Sequence, residues 1–177
     1  MSKRLNMAIV CTSLAAMMSL TGCGFLNDYN NDFIIARTSS YNVVGRNHSL
    51  SGDGMTLNCD IIKLSGHYNL GTIETETDCD EKLEVSMKAT QGKVKLVLVH
   101  PNSHVEVLKE VKAGLDNQIE GEVIFHCEKG QSKLKIVGED FEGTYKINKT
   151  AYSKVNLSPE YVLRSDGSDM NSPDIKM

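Results

Sequence analysis

Apolar and polar residues alternate along most of the chain between residues 55 and 148. A period of two puts the apolar side chains on one face of an extended strand. This alternation predicts strands over 55–64, 67–75, 83–89, 93–100, 105–111, 122–127, 133–136 and 144–148. No segment shows, over a useful length, the apolar spacing of three to four residues that is typical of a helix.

Short glycine-bearing segments separate these strands and indicate how they connect. Residues 91–92 predict a hairpin turn, residues 65–66 a break between two strands, and residues 128–130 a further turn. Seven to nine short strands at regular spacing are typical of an all-β fold, here an antiparallel two-sheet β-sandwich of jelly-roll or immunoglobulin-like type. A small β-barrel is the alternative, although a cup of that kind usually has longer strands.

The alternation also assigns side chains to the core. One face of the strands carries the apolar residues Leu83, Val85, Met87, Ala89, Val94, Leu96, Leu98, Val123, Phe125, Cys127, Leu134, Ile136, Tyr145 and Ile147. Lysines at positions 88, 93, 95, 133 and 135 lie on the opposite face, which we expect to meet water. Val97 and Val99 add apolar side chains to that second face, so we expect the strand over 93–100 to be central and covered on both sides at one end.

The N-terminus carries the pattern of an export signal. Lys3 and Arg4 precede an apolar run over 7–20, which is too short to cross a bilayer, and Thr21 and Gly22 then lead to Cys23. Residues 20–23 resemble the lipobox of bacterial lipoproteins. The resemblance implies a diacylglyceryl group on Cys23, palmitate-type acylation, cleavage before Cys23, and anchoring at the extracytoplasmic face of the cell membrane. An ordinary secretory signal and an uncleaved membrane helix are the alternatives.

With the lipobox resemblance and the alternation, composition leads us to expect a signal peptide over 1–22, a lipid-anchored tether over 23–40, a β-sandwich domain over 41–157 and a polar tail over 158–177. An edge strand over 33–36 is the alternative to a tether at that point. Loss of residues 1–22 removes two of the 19 basic side chains and none of the 23 acidic ones. The acidic balance disfavours nucleic acid as a partner, and it leaves the lipid on Cys23 as the contact with the membrane.

Three segments within the strand region resemble a β-sandwich domain that recurs in small lipoproteins of Gram-positive bacteria. They are GKVKLVLV at 92–99, KLKIVG at 133–138 and GTYKI at 143–147. The resemblance covers about 52–148, is one of pattern, and brings no catalytic residue with it. It implies an all-β extracytoplasmic domain.

Three cysteines follow Cys23, and an odd number in an exported domain leaves at least one thiol without an internal partner. Cys59 and Cys79 lie on or near neighbouring predicted strands, which makes them the favoured disulfide pair. Cys127 falls on the apolar face of its strand, as is typical of a free buried thiol. Full reduction of all three cysteines is the alternative.

The residues that could support catalysis or metal binding do not form a recognisable set. His100 and His104 flank a tight turn, but Glu106 is the only further ligand nearby. His126 points away from its cysteine neighbour, and the acidic turn at 78–81 lacks the regular spacing of a calcium loop. We therefore predict no catalytic residue, no metal site and no cofactor.

Aromatic residues bear on sugar binding, because flat rings stack on sugars. The chain has no Trp, and Tyr68 and Tyr152 are the weak candidates, whereas Tyr145 alternates with Ile147 on a core face. The sequence favours a lipid-anchored extracytoplasmic interaction or binding protein, not an enzyme, with an envelope protein or ligand as its partner. The alternative is a small-molecule carrier or enzyme accessory that encloses its ligand between the sheets in an apolar pocket above about 300 Å³.

The resemblance to a lipobox implies that Cys23 is the attachment point for lipid, because the thioether forms only on a thiol. Substitution Cys23→Ala should therefore abolish incorporation of a clickable fatty-acid analogue into the full-length protein expressed in bacteria. Cys11→Ala, within the same N-terminal region, is the matched control and should label like the unchanged protein. Labelling that persists in the Cys23→Ala protein would falsify this assignment.

Overall fold

Antiparallel strands make up most of the structure, a computed structural model that describes residues 28–160. A 3-10 turn, Asp28–Asn30, and a short helix, α1 (Asp32–Arg37), precede the strands. The strands are β1 (Ser40–Leu50), β2 (Thr56–Thr75), β3 (Cys79–Val99), β4 (Val105–Lys112), β5 (Gln118–Cys127), β6 (Gly130–Lys149) and β7 (Val155–Leu157). Between residues 28 and 160, no helix is long and apolar enough to cross a bilayer.

Three long strands, β2, β6 and β3, run side by side through the whole fold. The hydrogen-bonded order is β1-β2-β6-β3-β4, with β5 beside the first part of β3 and β7 beside the last part of β2. Each long strand has 20 or 21 residues and would measure roughly 65 Å if straight, more than the width of a domain of this size. The strands therefore bend, and the bend divides the sheet into two halves.

Each half of the sheet has five strands. The first half consists of β1, residues 56–64 of β2, 141–149 of β6, 79–89 of β3, and β5. The second half consists of β7, residues 66–75 of β2, 130–138 of β6, 93–99 of β3, and β4. Tyr68 of the second half meets Tyr145 of the first across the interior, where their hydroxyl groups hydrogen bond at 2.6 Å. The predicted all-β, two-sheet sandwich is confirmed, and its two sheets are the halves of one bent sheet.

The predicted turn at 91–92 and the predicted break at 65–66 are wrong, because β3 and β2 continue through them. Both positions lie on the bend, where the pairing with β6 shifts in register. Gly92 has a φ of +64°, and a Cβ at this residue would lie 2.3 Å from the carbonyl oxygens of Glu139 and Asp140 on β6. The glycines at these two positions mark where long strands fold over.

The predicted core faces are confirmed. All the inward residues assigned from the alternation, from Leu83 to Ile147, are buried in one cluster together with residues of β2, including Leu57, Leu64 and Leu70. A fully buried aliphatic side chain of this kind contributes about 1.5 to 3 kcal/mol to folding. Val97 and Val99 are buried on the other face, so the last part of β3 is covered on both sides, as predicted.

Residues 28–37 provide that cover on the outer face of the second half. The Asn31 side chain caps α1 by accepting a hydrogen bond from the Ile34 amide at 3.2 Å, and Asp32 adds a negative charge to the first turn. Ile35 and Ala36 then pack in a second apolar cluster with Tyr29, Val97, Val99, Val105 and Val137. For residues 28–37 this docked helix corrects both the expected tether and the edge strand, while residues 23–27 lie outside the described range.

Two lysines that the alternation placed toward water are buried beneath this segment. The Lys135 ammonium donates hydrogen bonds to the backbone carbonyls of Ile35, at 2.7 Å, and of Thr38. Burial lowers the pKa of Lys135 to about 8. The Lys95 ammonium lies 4.7 Å from the centre of the Tyr29 ring. The two lysines therefore attach the N-terminal segment to the sheet, Lys135 by satisfying carbonyls at the end of α1.

The chain continues along β2 after β7. The amides of Ser158 and Glu160 donate to the carbonyls of Leu70 and Asn69 at 2.9 and 3.0 Å, and Pro159 is buried. The first three residues of the expected polar tail therefore belong to the folded domain. The rest of that tail, including the apolar segment over 161–163, lies outside the described range.

The bend can be tested with two glycines that share a backbone conformation. Gly92 and Gly54 have φ values of +64° and +68°, but a Cβ at Gly54 would meet no atom within 4 Å. Gly54→Ala should cost about 1 to 2 kcal/mol for the left-handed backbone alone. Gly92→Ala adds a clash with β6 and should cost at least about 2 kcal/mol more. Urea unfolding of both variants measures the difference, and equal losses would show that the close approach at the bend is not required.

A second prediction concerns His67, which is fully buried under the N-terminal segment, where its ring N–H donates to the Thr38 carbonyl at 3.0 Å. Burial, helped by the Lys135 charge, lowers the pKa of His67. Below about pH 6.5 the unfolded chain binds a proton that the folded chain resists, so the free energy of unfolding falls as the pH drops through that value. His67→Gln should lose less stability than the unchanged protein between about pH 7.5 and pH 5.5.

Urea unfolding at the two pH values measures this difference. His104→Gln, in an exposed turn, is the control and should keep the original pH dependence. If His67→Gln keeps that dependence too, the acid sensitivity comes from another group.

Candidate functional site

The histidines considered for metal binding form a local pair. The rings of His100 and His104 stack with centroids 5.6 Å apart, and the His100 Nε2 lies 3.0 Å from a carboxylate oxygen of Glu106. Among residues 28–160, no group of three or more His, Cys, Asp or Glu side chains is placed to hold a metal ion.

The acidic turn at 78–81 directs its carboxylates to separate partners. Asp78 accepts a hydrogen bond from the Lys129 amide at 2.8 Å, and Asp80 lies 2.9 Å from the ring nitrogen Nδ1 of His126. Glu81 accepts from the Ser153 hydroxyl at 2.7 Å. The contact with Asp80 raises the pKa of His126. Asp80 and Glu81 therefore connect the start of β3 to β5 and to the turn before β7, while Asp78 connects the loop before β3 to the loop after β5.

The register of the strands rules out the expected disulfide between Cys59 and Cys79. Cys59 lies level with Tyr145 on β6, which lies level with Met87 on β3. Cys79 is eight residues before Met87 on the same strand, so it is roughly 26 Å from that level. A disulfide needs Cα atoms within about 7 Å, and the structure instead places Cys79 opposite Cys127. Cys59, Cys79 and Cys127 are free thiols here, and burial raises the pKa of Cys59 to about 12.

The aromatic candidates for sugar binding have different surroundings from those expected. Tyr68 is fully buried and belongs to the core, which removes it as a stacking surface. Tyr152 is 97% exposed in the turn after β6. Tyr41, which is not among the candidates predicted from the sequence, is 37% exposed and packs against Tyr68 with ring centroids 5.2 Å apart. Its position in the polar run over 39–42 is the signal that could have indicated it.

A cleft of about 580 Å³ opens beside Tyr41. Three parts of the fold form it: the 3-10 turn, the start of β1, and the bends of β2 and β6. Its lining residues are Asp28, Tyr29, Ser40, Tyr41, Asn42, Lys63, Ser65, Gly66, Gly138, Glu139 and Asp140. The bend and the docked N-terminal segment therefore create this cleft together.

Asp140 organises the polar side of the cleft. Its carboxylate accepts a hydrogen bond from the Ser65 hydroxyl at 3.1 Å and lies 3.8 Å from the Lys63 ammonium. The residue has a φ of +47°, a left-handed conformation that Asp tolerates better than most residues. Next to it, Glu139 pairs with Lys93 at 3.1 Å.

Tyr29 forms a fixed wall on the other side. Its hydroxyl donates to the Glu110 carboxylate at 2.9 Å, and the Lys93 ammonium lies 4.4 Å from the centre of its ring. Burial and the neighbouring Glu110 raise the pKa of Tyr29 far above its usual range. The ring is thus held at its hydroxyl group by a hydrogen bond and over its face by an ammonium group. This wall of the cleft is therefore pre-formed.

The lining of the cleft is mainly acidic. Three carboxylates line it, those of Asp28, Glu139 and Asp140, with one lysine, Lys63. An anionic ligand would meet this negative field at a cost, whereas an uncharged polar ligand would find donors, acceptors and an aromatic face. Two smaller clefts, of about 270 and 260 Å³, lie on the first half and are lined mostly by polar side chains such as Asn58, Lys146 and Glu122.

No protein-family model and no curated protein sequence matches this chain. Among solved structures, a family 35 carbohydrate-binding module from Paenibacillus barcinonensis is similar at 17% identity and a TM-score of 0.37, over 64% of this chain and 91% of that one. A mutant family 29 module in complex with mannohexaose has 13% identity and a TM-score of 0.35, over 66% and 85%. The module CBM6cm-2 of Cellvibrio mixtus lichenase 5A, in complex with cellotriose, has 15% identity and a TM-score of 0.33, over 66% and 95%. Likeness at these scores supports no conclusion about the ligand of this chain.

Proposed function

We propose that this protein is a non-catalytic, lipid-anchored binding protein of the bacterial envelope, and that the cleft beside Tyr41 binds an uncharged glycan. The observation that carries the proposal is the combination in one cleft of a half-exposed tyrosine ring with carboxylate, amide and hydroxyl side chains.

A sugar ring presents a C–H face and a rim of hydroxyl groups, and the cleft offers a partner for each. Tyr41 supplies an aromatic surface, supported from behind by the buried Tyr68. Asp140, Ser65 and Asn42 line the same cleft with oxygen and nitrogen atoms that accept or donate hydrogen bonds. The volume of about 580 Å³ lies within the range of small-molecule sites.

The charge of the cleft supports an uncharged ligand over a phosphate-bearing one. Lys63 is the only basic residue in the lining, and it already lies 3.8 Å from the Asp140 carboxylate. A polyanion such as nucleic acid is recognised by clustered basic side chains. The cleft has the opposite balance.

The proposed lipid on Cys23 would keep the cleft close to the membrane. Asp28 lines the cleft, and the five steps along the chain from Cys23 to Asp28 reach about 17 Å at most. We therefore infer that the ligand lies near the membrane surface, as do the glycan headgroups of lipids and the innermost layer of a cell wall.

The alternative of a carrier that encloses its ligand requires space between the two halves of the sheet. Large side chains, including Phe141 and Tyr68, are fully buried there in one apolar cluster. The cleft of about 580 Å³ lies outside that cluster. The described residues therefore support binding at the surface.

The proposal predicts that Tyr41→Ala weakens glycan binding about tenfold or more, because a truncated aromatic anchor costs roughly 1.4 kcal/mol or more. Isothermal titration of the full-length protein in detergent with neutral oligosaccharides measures the change. Tyr152→Ala is the control: this tyrosine is exposed and does not line the cleft, so the variant should bind like the unchanged protein. Equal binding by the Tyr41→Ala protein, or binding of acidic polysaccharides alone, would contradict the proposal.

A further inference from the structure

Cys79 and Cys127 lie directly opposite each other on two antiparallel strands. The pairing of β3 with β5 runs from Cys79↔Cys127 to Lys88↔Gln118 without a register shift. Residues opposite each other in such a pair have Cα atoms about 4.5 to 5.5 Å apart. That range lies within the 4.4 to 6.8 Å that a disulfide typically requires.

The two side chains also share a face of the sheet. Side chains at opposed positions of an antiparallel pair project to the same side. Cys127 is fully buried in the main core, and Cys79 is half-buried and packs against that core. Both sulfur atoms therefore lie on the same face of this strand pair, and the Cys79 side chain is the nearer of the two to the protein surface.

We propose that Cys79 and Cys127 form a cross-strand disulfide once the protein is exported. The oxidant is another disulfide, of a small thiol compound or of a thiol oxidase. Cys79 gives up its proton and its sulfur attacks one sulfur of that disulfide, whose S–S bond breaks and releases one thiol. Cys127 then loses its proton and attacks the Cys79 sulfur, forming the internal bond and releasing the second thiol. Two cysteines are oxidised and one external disulfide is reduced.

The surroundings of the two sulfurs fit this order. Cys79 is partly accessible, and the Lys154 ammonium lies 3.6 Å from its sulfur, so an external disulfide reaches Cys79 first. Cys127 is fully buried, and burial raises the pKa of its thiol to about 12, so this thiol stays protonated and out of reach of an external disulfide and reacts only with the adjacent mixed disulfide.

The bond would fasten an edge of the fold. Cys79 begins β3 and Cys127 ends β5, so the bond would lie at the open end of their ladder. β5 is hydrogen-bonded to β3, so the bond would join this edge strand to its neighbour covalently. The closed loop would contain β3, β4 and β5. A disulfide that closes a long loop stabilises the folded protein because it restricts the unfolded chain.

The test uses the purified full-length protein, first reduced and then incubated with oxidised glutathione under native conditions. Alkylation, proteolysis and mass spectrometry should then find one peptide pair joined through Cys79 and Cys127, with Cys59 carrying the alkyl group. The urea midpoint of the oxidised protein should rise by about 1 M or more over the reduced protein.

Three variants separate the possible outcomes. Cys59→Ala should keep the linked peptide and the shift in midpoint. Cys79→Ser, at the half-buried position, should lose both while the protein stays folded, and Cys127→Ala provides a second loss at the buried position. Alkylation of both Cys79 and Cys127 after oxidation, or a link from either to Cys59, would overturn the proposal. None of these outcomes depends on glycan binding at Tyr41.

Discussion

Both sheets of the sandwich are built from the same three strands, so the whole fold depends on how β2, β6 and β3 bend together. Where paired strands bend sharply, an irregularity in register such as a β-bulge disrupts the ladder locally. At the bend, shifts lie between Ala89 and Lys93 on β3 and between Ile61 and Gly66 on β2, and a further shift on β2 lies between Asn69 and Gly71. At Gly92 the backbone of β6 is so near that a side chain has no room. Once the bend is made, the inner faces meet and the Tyr68 and Tyr145 hydroxyls join across the core.

The two halves differ on their outer faces, and this difference explains the N-terminal segment. The first half presents polar residues such as Glu84, Ser86 and Lys146 to its outside, whereas the second half presents Val97 and Val137. Removal of these apolar side chains from water stabilises the fold. The helix α1 covers them. Because the end of a helix leaves carbonyl groups without partners, the long side chain of Lys135 reaches them from the sheet below.

The cleft results from both features at once. The bend supplies Gly66, Gly138 and Asp140, and the cover supplies Asp28 and Tyr29. The lining residues lie outside the apolar interior that joins the two halves, while Tyr29 also packs in the second apolar cluster.

The sequence by itself determined the strand class and the faces of the strands, because alternation is a local property that every extended segment imposes on its own side chains. Residues 20–23 resemble a lipobox, and acylation of Cys23 stays a prediction. Tertiary structure decided which glycines bend a strand and which end it, since residues 91–92 are adjacent to β6 only in the folded chain. It likewise decided that Lys95 and Lys135 are buried, that Cys79 faces Cys127, and that Tyr41 borders a cleft. Each of these depends on contacts between residues far apart in the chain, which no local pattern records.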